Sequence, residues 1–84
     1  MRPRELLDAA ISEVADLTGL PVENVSSLDR DGDDGDWRVT VEVLELQRVP
    51  STMDVIGSYE IRLSDDGEVL GFNRLRRYHR AAAE

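Results

Sequence analysis

Arg74, Arg76, Arg77 and Arg80, set among Phe72, Leu75 and Tyr78 near the end of the 84-residue chain, have the most chemistry to offer. Guanidinium groups grip carboxylates and phosphates through forked hydrogen bonds, and aromatic neighbours add a flat apolar surface beside the charge. Arginine mixed with aromatic residues is the enriched composition of protein interfaces rather than of bond-making centres. Leu70, Phe72, Arg74, Arg76, Arg77, Tyr78 and Arg80 are therefore the candidate partner-binding residues. A competing account is that charges on an edge strand keep sheets from pairing with one another. That account deals poorly with Leu70 and Phe72 beside the arginines. On this reading, reversing Arg74 and Arg76 to glutamate abolishes binding to an acidic partner. The melting temperature should then barely move, because exposed charges usually matter by less than about 0.5 kcal/mol.

Other reactive residue types are present without the company that chemistry needs. Asp29 to Asp36 is a run of charged residues and glycine, which invites a calcium reading. A twelve-residue calcium loop starting at Asp29 would need glycine sixth and glutamate twelfth, where this chain has Asp34 and Thr40. A solvated loop is expected instead. His79 is the only histidine and there is no cysteine, so one chain can build neither a Ser-His-Asp triad nor a tetrahedral zinc site. His79 is expected as a surface residue. Asp65 and Asp66 precede Gly67 in a pattern that a turn already demands. With no glycine-rich phosphate loop either, the expectation is a protein without catalytic residues, metal, cofactor or small-molecule substrate.

The elements that must position the arginines follow from periodicity. Pro3 suits a first helical turn, and Leu7, Ala10, Ile11, Val14 and Ala15 recur at helical spacing, with Leu6 and Leu17 widening the stripe. Gly19 and Pro21 end this helix, which is expected over residues 4–18. A short strand is expected from Asn24 to Asp29, then the acidic loop. Trp37 to Leu46 alternates with Trp37, Val39, Val41 and Val43 on one side, until the phase flips at Val43-Leu44-Glu45-Leu46. That flip implies a bulge, or a strand end buried on both faces. Pro50 forces a wide connection over residues 47–54. Val55 to Leu63 alternates again and joins its successor through Asp65-Asp66-Gly67. If Ser64 pairs with Glu68, regular pairing puts Leu63 opposite Val69, Ile61 opposite Gly71 and Tyr59 opposite Asn73. Phe72, Arg74, Arg76 and Tyr78 then share the face away from the helix.

One helix and then strands give an α+β fold, with the N-terminal helix packed on one face of a three- to four-stranded antiparallel meander. Residues 1–80 form a single domain and 81–84 a frayed tail. No long extension is expected before the first helix. The inner face should carry Trp37, Val39, Val41, Tyr59, Ile61, Leu63 and Val69. The arrangement is similar to small helix-plus-meander modules such as the PepSY domain, which says nothing of function. A small non-catalytic ligand-binding or inhibitory module of PepSY-like architecture is the alternative that the fold leaves open.

Charge narrows the partners. The net charge is −8 and every basic residue is arginine. Residues 74–80 hold four of the ten arginines and no acid, so that segment carries about +4 and the remainder about −12. An acidic body repels phosphates, so no nucleic-acid partner is expected. No apolar run approaches the roughly 20 residues that span a bilayer, and no signal-peptide pattern opens the chain. A cytoplasmic protein without membrane partners is the expectation.

The segments Arg48-Val49-Pro50-Ser51-Thr52-Met53-Asp54, Tyr59-Glu60-Ile61-Arg62-Leu63, Asp65-Asp66-Gly67-Glu68 and Arg74-Leu75-Arg76-Arg77-Tyr78-His79-Arg80 stand in that order. Together they resemble the gas vesicle protein O family, accessory proteins of gas vesicle formation in prokaryotes. Upstream, Trp37-Arg38-Val39-Thr40-Val41-Glu42-Val43 is similar to the family's first clear strand. The resemblance covers about half of the chain and keeps order and spacing. It implies a non-enzymatic accessory role in gas vesicle assembly. It also implies protein contacts with other gas vesicle proteins, both shell and accessory, in the cytoplasm or on the vesicle.

Overall fold

The computed structural model describes residues 2–31 and 35–83. Among these, α1 spans Pro3–Thr18 and is followed by β1 (Val22–Asp31), β2 (Asp36–Leu46), β3 (Val55–Leu63) and β4 (Val69–His79). The strands form one antiparallel sheet in the order β1-β2-β3-β4, with α1 lying across β1, β2 and β3. This is the expected α+β meander, with four strands.

Helix α1 starts at Pro3, whose missing N–H costs nothing in the first turn, and ends at Gly19. Gly19 is left-handed (φ 68°) and donates its N–H to the Ala15 carbonyl. The buried stripe is Leu6, Ala10 and Val14, one residue each turn, flanked by Leu7 and Ala9. The stripe expected around Leu7 and Ile11 is therefore rotated. Ile11 and Ala15 lie at its margin, and Leu17 points largely into solvent. Beneath it lie Val39, Val41, Val43, Ile61 and Leu63, all fully buried, with Trp37 and Tyr59 at the rim.

Strand β1 is longer than the apolar pattern implied. Asp29, Arg30 and Asp31 pair with Arg38, Trp37 and Asp36, and the Arg30 guanidinium sits 4.5 Å from the centre of the Trp37 ring. Asp29 and Arg30 extend this edge because their side chains stay exposed while the main chain pairs. The expected loop is thus shorter at both ends, and its middle, residues 32–34, lies outside the described residues. The phase flip in β2 is a bulge at Glu45, between the Leu44–Ile56 and Leu46–Val55 pairs. After it, the connection holds a cis Val49–Pro50 peptide and a single 3-10 turn, Ser51–Met53.

The β3–β4 hairpin closes as expected: the Ser64 N–H donates to the Glu68 carbonyl, Gly67 is left-handed (φ 86°), and Leu63 faces Val69. The regular register then fails. Leu70 and Leu75 are bulged, so Arg62 faces Gly71, Ile61 faces Phe72, Tyr59 faces Arg74, and Ser58 faces Arg76. Beyond β4, Arg80–Ala83 form a short 3-10 helix.

Leu6→Ala removes the largest fully buried side chain of the helix and should lower stability by about 2–5 kcal/mol. Leu17→Ala, at the exposed margin, should stay within about 0.5 kcal/mol of the parent. Thermal melts of the two variants check the placement of the stripe. An equal effect of both would mean that the helix packs on another face.

Candidate functional site

The face that α1 leaves uncovered is organised by a carboxylate. Glu42 lies on that face of β2, yet is only 5% exposed. Its Oε1 accepts hydrogen bonds from Ser58 (2.5 Å, β3) and Tyr78 (2.7 Å, β4), and its Oε2 from Ser26 (2.9 Å, β1). Every strand thus contributes one member. Burial by itself would raise the Glu42 pKa. The three hydroxyl donors and the charge of Arg76 outweigh it and hold the carboxyl below its ordinary value. Beside this cluster lies a hollow of about 350 Å³, with Glu23, Asn24, Arg76 and Arg80 at its rim. No buried side-chain nitrogen or oxygen lacks a hydrogen-bond partner among the described residues.

A second carboxylate organises the helix side of the β3–β4 end. The bulge turns Glu45 over Gly57, where any Cβ would lie 2.6 Å from the Glu45 carboxyl carbon. Glu45 accepts hydrogen bonds from Arg74 (2.7 Å) and from the Tyr59 hydroxyl (3.1 Å), and Arg77 Nε lies 3.5 Å away. Burial first, and then the Glu45 charge and hydrogen bond, push the Tyr59 pKa up. The Tyr59 ring stacks on Phe72, with centroids 5.4 Å apart.

The third cluster anchors the end of β4. Asp54, 4% exposed, accepts from Arg80 Nε (3.3 Å), Arg80 Nη2 (3.1 Å) and the Arg48 N–H (2.7 Å). The Arg80 N–H donates to the Asp54 carbonyl, and Arg80 Nη2 also pairs with Glu23 of β1.

The candidate residues are therefore divided rather than gathered on one surface. Phe72, Arg74 and Arg77 lie on the helix side of β4, whereas Arg76 and Tyr78 lie on the opposite face. The single outward face expected from regular pairing is corrected by the bulges at Leu70 and Leu75, each of which shifts the register by one. Arg76 stacks over the Tyr78 ring (4.7 Å), and Arg80 is tied to Asp54 and Glu23. The arginines thus hold the sheet together as well as facing solvent, a role the spacing did not reveal. Glu42, Glu45 and Asp54 were missed. The available signal was three acids next to or within apolar strand segments, where a carboxylate needs partners.

The whole chain, residues 1–84, matches the family described as Gas vesicle synthesis protein GvpO. The chain belongs to that family. A relative named Gas vesicle protein O from Streptomyces sp. (strain CB03234) is 46% identical over 82 residues, covering 98% of this chain and 62% of the relative. Gas vesicle protein O1 of Halobacterium salinarum is 48% identical over 50 residues, covering 60% of this chain and 42% of that protein. Gas vesicle protein O of Haloferax mediterranei is 43% identical over 58 residues, covering 69% and 41%. The chain thus spans between about two fifths and three fifths of the length of these curated relatives. No solved structure matches it.

For this member of the GvpO family, the Glu42 cluster makes a prediction about acid stability. A carboxyl with a depressed folded-state pKa contributes stability that is fully present above its ordinary value of 4.5 and lost as pH falls through the folded value. Glu42→Gln keeps the shape and removes the charge, and should cost about 1–2 kcal/mol at neutral pH. The gap between parent and variant should shrink as pH falls below the ordinary value of 4.5 and through the lower folded value, where the parent's carboxyl takes up its proton. Melts of both proteins across that range test it; a pH-independent gap would mean that Glu42 is not an ionised clasp.

Arg74→Glu sets a new carboxylate against Glu45, so it should cost about 1–3 kcal/mol through lost pairing at a poorly exposed acid. The near-neutral effect expected from the sequence is replaced by this one. Denaturant unfolding of the single variant measures it directly.

Proposed function

We propose that this chain is a non-enzymatic accessory protein of gas vesicle formation, acting through contacts between β4 and other gas vesicle proteins. Membership of the GvpO family carries the process. The contact surface rests on one observation: Val69, Leu70, Phe72 and Leu75 of β4 remain 37–47% exposed, beside arginines that are themselves half in water. Apolar side chains interleaved with arginine on an uncovered strand have the composition of a binding surface. The partners of this reading are the shell and accessory proteins of the vesicle. No helix among the described residues is long and apolar enough to cross a membrane. The proposed place of action is the cytoplasm, at the growing vesicle.

Leu70 and Leu75 are the side chains to change, because they are exposed bulge residues outside the ion-pair clusters. Leu70→Asp with Leu75→Asp should leave the fold standing and abolish capture of the other gas vesicle proteins in pull-downs from co-expressed sets. Undiminished capture by a folded double variant would remove β4 from the contact surface.

A further inference from the structure

We infer that two copies of this chain associate through β4, edge to edge and antiparallel, to form one continuous sheet across a two-fold axis beside Phe72. The sheet order leaves β4 with β3 as its one neighbour among the described residues. The far row of main-chain donors and acceptors over the eleven residues Val69–His79 therefore meets no strand. Such a row is a template for another strand, and a two-fold contact requires that the patch complement itself.

The charge order along β4 meets that requirement. Asp66 and Glu68 precede the strand, whereas its far end carries Arg76 together with Arg74, Arg77 and Arg80, which also pair with Glu45, Asp54 and Glu23 within the chain. Antiparallel pairing sets the acidic end of each copy against the basic end of the other, twice over. With the axis beside Phe72 and the bulged Leu70 and Leu75 left out of the ladder, Glu68 falls opposite Arg76 of the second copy and Val69 opposite Arg74. The two Phe72 rings meet at the centre. Parallel pairing would align arginine with arginine along the whole end. The stretch Gly71–Arg74, between the bulges at Leu70 and Leu75, keeps regular pairing and lies where the axis passes. The apolar residues brought together are the exposed ones: Val69, Leu70, Phe72 and Leu75.

The opposite edge lacks this complementarity. β1 carries Glu23 and Asp29 with Arg30 between the acid-rich positions, so antiparallel self-pairing there matches no acidic end with a basic one. A dimer through β4 is thus singled out by charge, and it does not depend on the gas vesicle reading.

The purified chain tests this alone, by sedimentation equilibrium from micromolar to millimolar concentration. The parent should sediment as a dimer of the 9.4 kDa chain. Glu68→Arg and Arg76→Glu, each alone, should weaken the dimer by about tenfold or more, because each sets like charges opposite one another. Combining the two changes should restore it, which a variant that merely failed to fold would not do. A parent that stays monomeric throughout overturns the inference. So does a dimer indifferent to both single reversals, or one that the combined change does not rescue. Failure here leaves the pull-down with other gas vesicle proteins to be judged on its own.

Discussion

A buried carboxylate on a sheet face that no other layer covers among the described residues is the constraint around which this small protein is built. Glu42 can stay ionised there because Ser26, Ser58 and Tyr78, from the other three strands, all donate to it. An ionised group with its acceptors filled is stable in place, while the same group unpartnered would cost several kcal/mol, roughly. The clasp therefore does for the uncovered face what the helix does for the other. It also couples all four strands, because displacing any one leaves a buried acceptor or hydroxyl unmatched.

Bulges make this arrangement possible. Each one leaves a residue outside the ladder and free to aim its side chain, and three of them carry the polar ties. Glu23 reaches Arg80, Ser26 reaches Glu42, and Glu45 reaches Tyr59 and Arg74. The remaining two, Leu70 and Leu75, expose apolar side chains on β4 instead. The same backbone irregularity thus serves internal cohesion on β1 and β2 and leaves β4 with an apolar, basic exterior.

The arginines at the end of the chain consequently have two roles. Arg74, Arg77 and Arg80 neutralise Glu45, Asp54 and Glu23, and this draws the last strand onto the sheet. All three side chains remain partly in solvent. Arginine suits such a position, since its planar fork can hold a carboxylate on one side and offer a flat surface on the other.

The residue pattern by itself determined the helix and its Gly19 stop, the alternating inner face from Trp37 to Val43, and the turn at Asp65-Asp66-Gly67. The order and spacing of Arg48–Asp54, Tyr59–Leu63 and Arg74–Arg80 also determined the family. These are local signals, set by dihedral preferences and by periods of 3.6 and 2 that any short segment carries within itself. Tertiary structure alone decided which way Phe72, Arg74 and Arg77 face, and that Glu42 is buried. Those outcomes depend on bulges, and a bulge exists only between paired strands: a one-residue slip reverses every later side chain, and its site is chosen by the partner strand's contacts. Glu42 reads as a solvent residue in its own alternating strand. It becomes the centre of the outer face only when Ser26, Ser58 and Tyr78, from three other strands, arrive around it.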